Sequence, residues 1–416
     1  MLNPNCEPNF PHVKYKESGQ CIVLNTADNL KALLDSAGYE AKHNKMTLEP
    51  DIYKQGVFVG TPEEVRSELI SLASIYSMPK SAIDDHFSAL ALKSCYHPIA
   101  DWLEGQWDGE PRVNAVLSCL KAKEPELTRA VLLHWLVGCV ACLFVPNFKS
   151  KLVPVLQGEQ SFKKTAFVER IANVMPNAFL EGAELNPDNK DSVLSVIRSW
   201  IVELGELERS TKNCQGALKA FVTRSRDTVR PPYARTDIKK DRQTSLIATV
   251  NGTDFLKDET GNTRYAVIEL VGETDMTRLN QLLGWEYKST GELTLKEPEK
   301  LRQFWLEVKH QLMVNHHPWM LPPELQMQVS HASSQYVDKG TWYTLLNDQI
   351  EECHGKARAW LCTKAICELI SADVSKANMV GKALNQLHKE GKIEKRLLNG
   401  SNRYCFPDVR PNTSFR

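Results

Sequence analysis

The chain lacks an excess of either charge: 51 Lys and Arg balance 51 Asp and Glu over 416 residues. No global field therefore draws in nucleic acid, and any such binding must use local patches. A membrane-spanning run is lacking too. The longest apolar stretch, residues 130–145, is interrupted by His134 and falls short of the roughly 20 residues a bilayer requires. The start, MLNPNCEPNFPHVKYK, lacks the basic lead and apolar core of a secretory signal, so the cytoplasm is the expected compartment, with no membrane partner. Paired cysteines are missing as well. The 11 present are scattered and odd in number, which points to reduced thiols and not to a disulfide framework. The one close pair, Cys139 and Cys142, lies in the apolar run with no second Cys or His pair at ligand spacing, and reads as core packing.

What is present suffices for two or three domains, with 42% of residues hydrophobic. Residues 1–95 read as a small accessory module, mixed or helical, in which TPEEVRSELISLASIY begins with Thr61 as a cap and Pro62 in the first turn. It has no run of acidic residues on strands of the kind a two-metal primase centre needs, so no primer synthesis is expected. Residues 96–150 read as a helical, collar-like block. Across residues 151–330, short and nearly continuous apolar strands (KLVPVLQG, RSWIVELGEL, TSLIATVNG, TRYAVIELVG) alternate with helical segments. That pattern suits an α/β core whose sheet is covered on both faces. Residues 340–411 form a separate tail.

The first of these strands runs into GEQSFKKTAF, which fits G-x-x-x-x-G-K-[ST] except that Lys163 stands at the second glycine. Gly158, Glu159, Gln160, Ser161, Phe162, Lys163, Lys164, Thr165 and Ala166 are expected to wrap the phosphates of ATP. Backbone N–H groups and the helix N-terminus supply most of the cradle. Lys164 would neutralise the β- and γ-phosphates, and the Thr165 hydroxyl would help hold Mg²⁺. Lys163 adds a side chain where a bare backbone is favoured, but also a second amine.

The second strand ends in Glu203 and Glu206. It is expected to lie beside the phosphate-loop strand, with one carboxylate in the Mg²⁺ shell with Thr165 and the other polarising water. A buried strand entering a capped turn is the plainer alternative. Asn251 ends the third strand, where an amide can orient water against the γ-phosphate; an Asn-Gly turn would look the same. Arg264 precedes the fourth and suits an arginine finger directed at a neighbouring subunit's nucleotide.

Together YHPIADWLEGQWDGEPR, SWIVELGELE, RDTVRPPYAR and ATVNGTDFLKDETGNTRY resemble the virulence-associated protein E family. That family belongs with the superfamily 3-type helicase ATPases of phages, prophages and mobile islands. The resemblance spans residues 96–321. It implies a P-loop, AAA+-like core that forms a ring on DNA, commonly a hexamer, with ATP and Mg²⁺ as cofactors. A separate primase or replication initiator is a further implied partner. By the same resemblance Lys164 and Thr165 match the nucleotide loop, Glu203 and Glu206 the acidic strand end, Asn251 the sensor and Arg264 the finger. The implied activity is ATP-dependent DNA unwinding or translocation in replication of a phage or mobile element. The substitution at Lys163 keeps open a non-catalytic, nucleotide-switched DNA-binding initiator or loader.

Two segments carry the charge for DNA. Residues 224–242, RSRDTVRPPYARTDIKKDR, set seven basic residues against three aspartates. The resemblance places a channel hairpin there, with Arg230, Lys239 and Lys240 on the phosphates of a single strand; a solvated charged loop is the alternative. In the tail, TKAICELIS and VSKANMVGKALNQLHKEG read as helices, with Asp373 or Ser375 as a cap and Gly391 as the stop. KIEKRLLNGSNRYCF reads as two strands about an Asn-Gly turn. Helix, helix and hairpin make a winged helix, able to dock on double-stranded DNA or on protein. Residues 361–410 hold nine Lys and Arg against five Asp and Glu, and Lys376, Lys382, Lys389 and Arg403 are the candidate contacts. The expected fold is an α/β P-loop NTPase (AAA+-like) core with a helical N-terminal region and a C-terminal winged helix.

Overall fold

Strands with hardly a polar residue on either face can rest only inside a covered sheet, and four such strands organise the larger part of this chain. A computed structural model describes residues 7–205, 217, 220–230, 237–253, 255–256, 264–336, 339–353, 355, 357–398 and 400–407. They fall into two units, residues 1–252 with 263–333, and residues 253–262 with 334–416.

The first unit opens with β1 (Val13–Tyr15), β2 (Cys21–Val23), α1 (Ala27–Ser36), β3 (Tyr39–Asn44), β4 (Glu49–Lys54), β5 (Val57–Gly60), α2 (Pro62–Ile75), α3 (Ser81–Ala91) and β6 (Cys95–Tyr96). Of the two readings of residues 1–95, mixed or helical, the mixed one holds, and the helical N-terminal region of the expected fold is corrected: β5-β4-β3-β6 form a four-stranded sheet. Tyr39 and Ile52 pack with Leu30, Leu33, Leu72 and Phe87 of the helices. The strand signal is only the alternation Tyr39-Glu40-Ala41-Lys42, too short to stand out beside three helices. The start of α2 is as read, with the Glu64 carboxylate accepting from Thr61 N at 2.7 Å.

Next come α4 (Pro98–Trp102), α5 (Val113–Leu117) and α6 (Pro125–Phe144). By length and composition α6 could cross a bilayer, but 67% of its most apolar window is buried inside the fold. Cys139 and Cys142 lie on its buried side, and burial pushes both thiols up, Cys142 to about 12. Trp135 Nε1 donates to Leu246 O at 2.9 Å, and Trp200 Nε1 donates to Cys139 O at 2.7 Å, tying the helix to the sheet.

The sheet follows: β7 (Val153–Gln157), α7 (Lys164–Ala172), β8 (Phe179–Leu180), α8 (Lys190–Ile197), β9 (Ile201–Leu204), β10 (Arg226–Val229), β11 (Ile238–Asp241), β12 (Ser245–Val250) and β13 (Tyr265–Glu269). The order β13-β7-β12-β9-β8 is parallel throughout. The acidic strand β9 is therefore not beside β7, the strand that leads into Gly158, where it was expected; β12 lies between them. Every parallel connection is a crossover, so chain order alone leaves spatial order open. The unit closes with α9 (Met276–Leu283), β14 (Trp285–Tyr287), β15 (Leu293–Leu295), α10 (Pro298–Met313) and α11 (Pro323–Ser333).

β10 and β11 form an antiparallel hairpin in the register Arg226↔Asp241 to Val229↔Ile238. Its inner face buries Asp227, Val229, Lys240 and Arg242, with Arg242 and Asp227 paired at 2.7 Å. Lys240 is thus no phosphate contact. Its Nζ donates to Met46 O at 2.6 Å and also to Ile197 O. Adjacent strand residues face opposite ways, so only one lysine of the pair, Lys239, is exposed. Arg235 lies outside the described residues.

The second unit carries α12 (Thr341–Glu352), β16 (Arg358–Cys362), α13 (Thr363–Leu369), α14 (Ala377–Lys389), β17 (Lys395–Leu398) and β18 (Ser401–Pro407). Its antiparallel sheet has the order β16-β18-β17 and packs Leu361, Tyr404 and Phe406 on Leu346, Ile366, Val380 and Leu384. The two expected helices and the hairpin are present; α12 and β16 were unforeseen. Asp373 accepts from Ser375 N at 2.7 Å, and Gly391 and Gly400 both take φ 73°.

Burial lowers the Lys240 pKa to about 7, with the Asp227 charge opposing. A free lysine titrates near 10.4, so between about 7 and 10 the unfolded chain binds the extra proton and stability rises with pH; below that window this group adds no slope. The melting temperature should therefore climb more steeply from pH 7 to pH 10 in the native protein than in Lys240→Met. Equal slopes in thermal melts of the two proteins would contradict this burial.

Candidate active site

The carboxyl ends of β7, β9 and β12 meet at one edge of the sheet, where open α/β sheets bind ligands. Gly158 leaves β7 there. A Cβ on it would lie 2.8 Å from Phe162 Cδ2 and 3.2 Å from Leu270 Cβ, so the Phe162 ring closes over bare backbone. Phe162 O accepts from Thr274 N at 3.1 Å and from Thr274 Oγ1 at 2.9 Å, fastening the loop to the chain after β13. Glu159, Gln160 and Ser161 are exposed along it. Lys163 takes φ 58°, ψ 35°, the left-handed backbone that a glycine would adopt freely. Its side chain runs outward to 3.8 Å from the Glu273 carboxylate. The loop turn is thus retained without its glycine. Helix α7 starts at Lys164 with no acidic residue of its own in the first turn, so its N-terminal positive end, near Thr165 and Ala166, is not neutralised from within the helix.

Lys164 is buried, and its Nζ donates to Gly158 O at 2.8 Å, Glu159 O at 2.7 Å and Asn251 Oδ1 at 2.9 Å. Desolvation lowers its pKa, while the Glu203 charge opposes that shift. The structure thereby joins the loop lysine to Asn251. Its three acceptors are oxygen atoms, the same chemistry that phosphate oxygens would offer.

Glu203 is 1% exposed and held on both oxygens. Thr165 Oγ1 donates to Oε1 at 3.0 Å, Thr249 Oγ1 donates to the same oxygen, and Gly182 N donates to Oε2 at 2.7 Å. Thr165 and Glu203 are hard oxygen donors of the kind Mg²⁺ accepts alongside phosphate and water. Thr249 was missed from sequence, although it lies two residues before Asn251 and so on the same face of β12. Gly182 was not findable, because its contribution is a backbone N–H. The exposed Glu181 carboxyl is also near: burial first, then the charges of Glu169 and Glu203, raise its pKa. Glu206 lies outside the described residues.

Arg264 is not brought to this edge. It precedes β13 at the opposite end of the sheet, where its carbonyl accepts from Val153 N at 2.8 Å. The length of β13, at about 3.3 Å per residue, separates it from the edge that carries Gly158 and Lys164. Its Nε is buried without a hydrogen-bond partner.

The remaining basic candidates divide into three places. Arg230 and Lys239 are exposed on the β10–β11 hairpin, with Arg230 Nε donating to Asp237 at 2.7 Å. Lys376, Lys382 and Lys389 are exposed at and along α14. Arg403 lies on the β18 face opposite Tyr404 and Phe406, away from the side on which α14 packs.

A family model described as "Virulence-associated protein E-like domain" matches residues 101–338, more than half of the chain. Among solved structures the chain is similar to "The apo structure of NrS-1 C terminal region (305-718)" at 10% identity, covering 91% of this chain and 98% of that chain with a TM-score of 0.47. It is similar at 10% identity to "The A form apo structure of NrS-1 C terminal region-CTR", over 91% and 98% of the two chains with a TM-score of 0.48. A search of the curated proteins gives no match.

Replacing Lys163 by glycine should relieve the left-handed strain. The greater freedom of the unfolded chain offsets part of that gain, leaving a stabilisation on the order of 0.5–1 kcal/mol. Lys163→Ala keeps the Cβ and should bring none. Urea unfolding of the three proteins decides it.

Proposed function

Because the chain belongs to the virulence-associated protein E-like family and one sheet edge gathers Lys164, Thr165, Glu203 and Asn251, we propose an ATP-driven DNA motor. Its setting is the replication of a phage or mobile element. The observation that carries this reading is the Lys164 amine, buried among oxygen acceptors from the loop and from Asn251.

On this reading the phosphates of ATP take the place of the loop carbonyls around Lys164, while the α7 N-terminus and loop N–H groups orient them. Thr165 and Glu203 would hold Mg²⁺, which would supply neutralisation of phosphate charge. Thr249 and the Gly182 N–H keep the Glu203 carboxylate aimed. Asn251 orients the attacking water, and the resemblance gives Glu206 the task of polarising it.

Arg264 is too far from its own loop, which supports a role toward the nucleotide of an adjacent copy. That role requires a ring, commonly a hexamer in the family. Arg230 and Lys239 would meet a single strand through the hairpin. We read the second unit, whose helix–strand–helix–helix–hairpin order supports it, as a winged helix that would turn Lys376, Lys382 and Lys389 toward duplex DNA. A separate primase or replication initiator would complete the system.

The test is ATP hydrolysis with and without single-stranded DNA, beside Lys164→Ala and Glu203→Ala. Turnover should rise with the strand and fall by about 100-fold or more in both variants. Thr249→Val should lower kcat by about tenfold with KM little changed, as expected for a group that positions another. Tight ATP binding and DNA-bound rings without turnover would favour the initiator reading, which the glycine substitution at Lys163 supports.

A further inference from the structure

The sheet of the second unit has one face buried in the core and one partly open to solvent. Leu361, Tyr404 and Phe406 point into the core, so strand alternation sends Arg358 and Trp360 of β16, Arg396 of β17 and Arg403 of β18 the other way. The Arg396 guanidinium stacks 3.8 Å from the centroid of the Trp360 ring. Arg403 pairs in register with Arg396 on one side and Cys362 on the other. Like charges directly opposite one another destabilise a sheet. Yet none of the three arginines forms an ion pair among the described residues, and Arg403 Nε is buried without a hydrogen-bond partner. Glu394 is the one acid that alternation places on this face.

We propose that this face binds an unpaired nucleic-acid strand, by stacking a base on the Arg396–Trp360 pair and seating its phosphates on Arg358 and Arg403. The Trp360 ring steadies Arg396, but nothing among the described residues neutralises the facing Arg396–Arg403 pair, whereas an anionic polymer would offset its repulsion. A flat guanidinium over an indole offers a planar cationic surface, which suits an exposed base and not a paired one. The helix lysines Lys382 and Lys389 lie on α14, which packs against the other side of the sheet, so a duplex held by α14 would leave this face free. The inference shares nucleic acid with the function proposed above but uses none of the nucleotide site.

The test uses the full chain without nucleotide, titrated into labelled oligothymidylate and labelled blunt duplex at several salt concentrations. A triple variant, Arg358→Ala with Arg396→Ala and Arg403→Ala, should bind the single strand at least tenfold more weakly. Its salt slope should fall by about 1.4, from roughly 0.7 for each of the two phosphate contacts. Duplex affinity should stay within about twofold, and basal ATP turnover should be unchanged, which separates this test from that of the motor. Should the triple variant misfold, Arg396→Lys with Arg403→Lys keeps the charge and removes the planar stack; it should hold the salt slope and still lose several-fold in affinity. An oligonucleotide bearing 5-iodouracil should crosslink to Trp360 under ultraviolet light. Unchanged single-strand affinity in the variants, or equal losses on strand and duplex, would overturn the proposal.

Discussion

A carboxylate shut away from water is tolerable only if its oxygens are satisfied, and Glu203 meets that condition with donors from three separate elements. Thr165 comes from α7, Thr249 from β12 and the Gly182 N–H from the turn after β8. Each donor left without its acceptor would cost about 1–3 kcal/mol. The same contacts that keep the charge in the sheet therefore fix the register of β12 against β9 and the start of α7. Fold and site rest on one side chain.

The interleaved strand order follows from the same geometry. Because β12 lies between β7 and β9, Thr249 can reach Glu203 on one side while Asn251 reaches Lys164 on the other. A sheet with β7 beside β9 would separate those two tasks. Lys163 belongs to this frame as well. The turn it occupies is enforced by Phe162 over Gly158 and by Thr274 on Phe162 O, so the loop holds its path even with a residue that resists it.

Much of this was legible in the sequence because its signals are local. Apolar runs ending in Gly158, Glu203 and Asn251 mark strands, and Lys164-Thr165 mark the helix that follows. What stayed hidden depends on pairing over distance. The place of β12, the sheet built on Tyr39 and Ile52, and the burial of Lys240 all depend on partners far away in the chain. Thr249 was hidden for a different reason, since a threonine in an apolar strand is ordinary until its neighbour across the sheet is known. Glu206 and Arg235 lie outside the described residues, so the sequence alone speaks for them.

The buried end of Lys240 has a mechanical meaning. Its amine grips the Met46 carbonyl of the N-terminal module and the Ile197 carbonyl at the end of α8, while Arg242 and Asp227 clamp the same hairpin face. Any displacement of β11 would therefore pull on the turn after β3 and on the helix that leads into β9, the strand that carries Glu203, so the hairpin base and the carboxylate at the centre of the sheet are mechanically coupled.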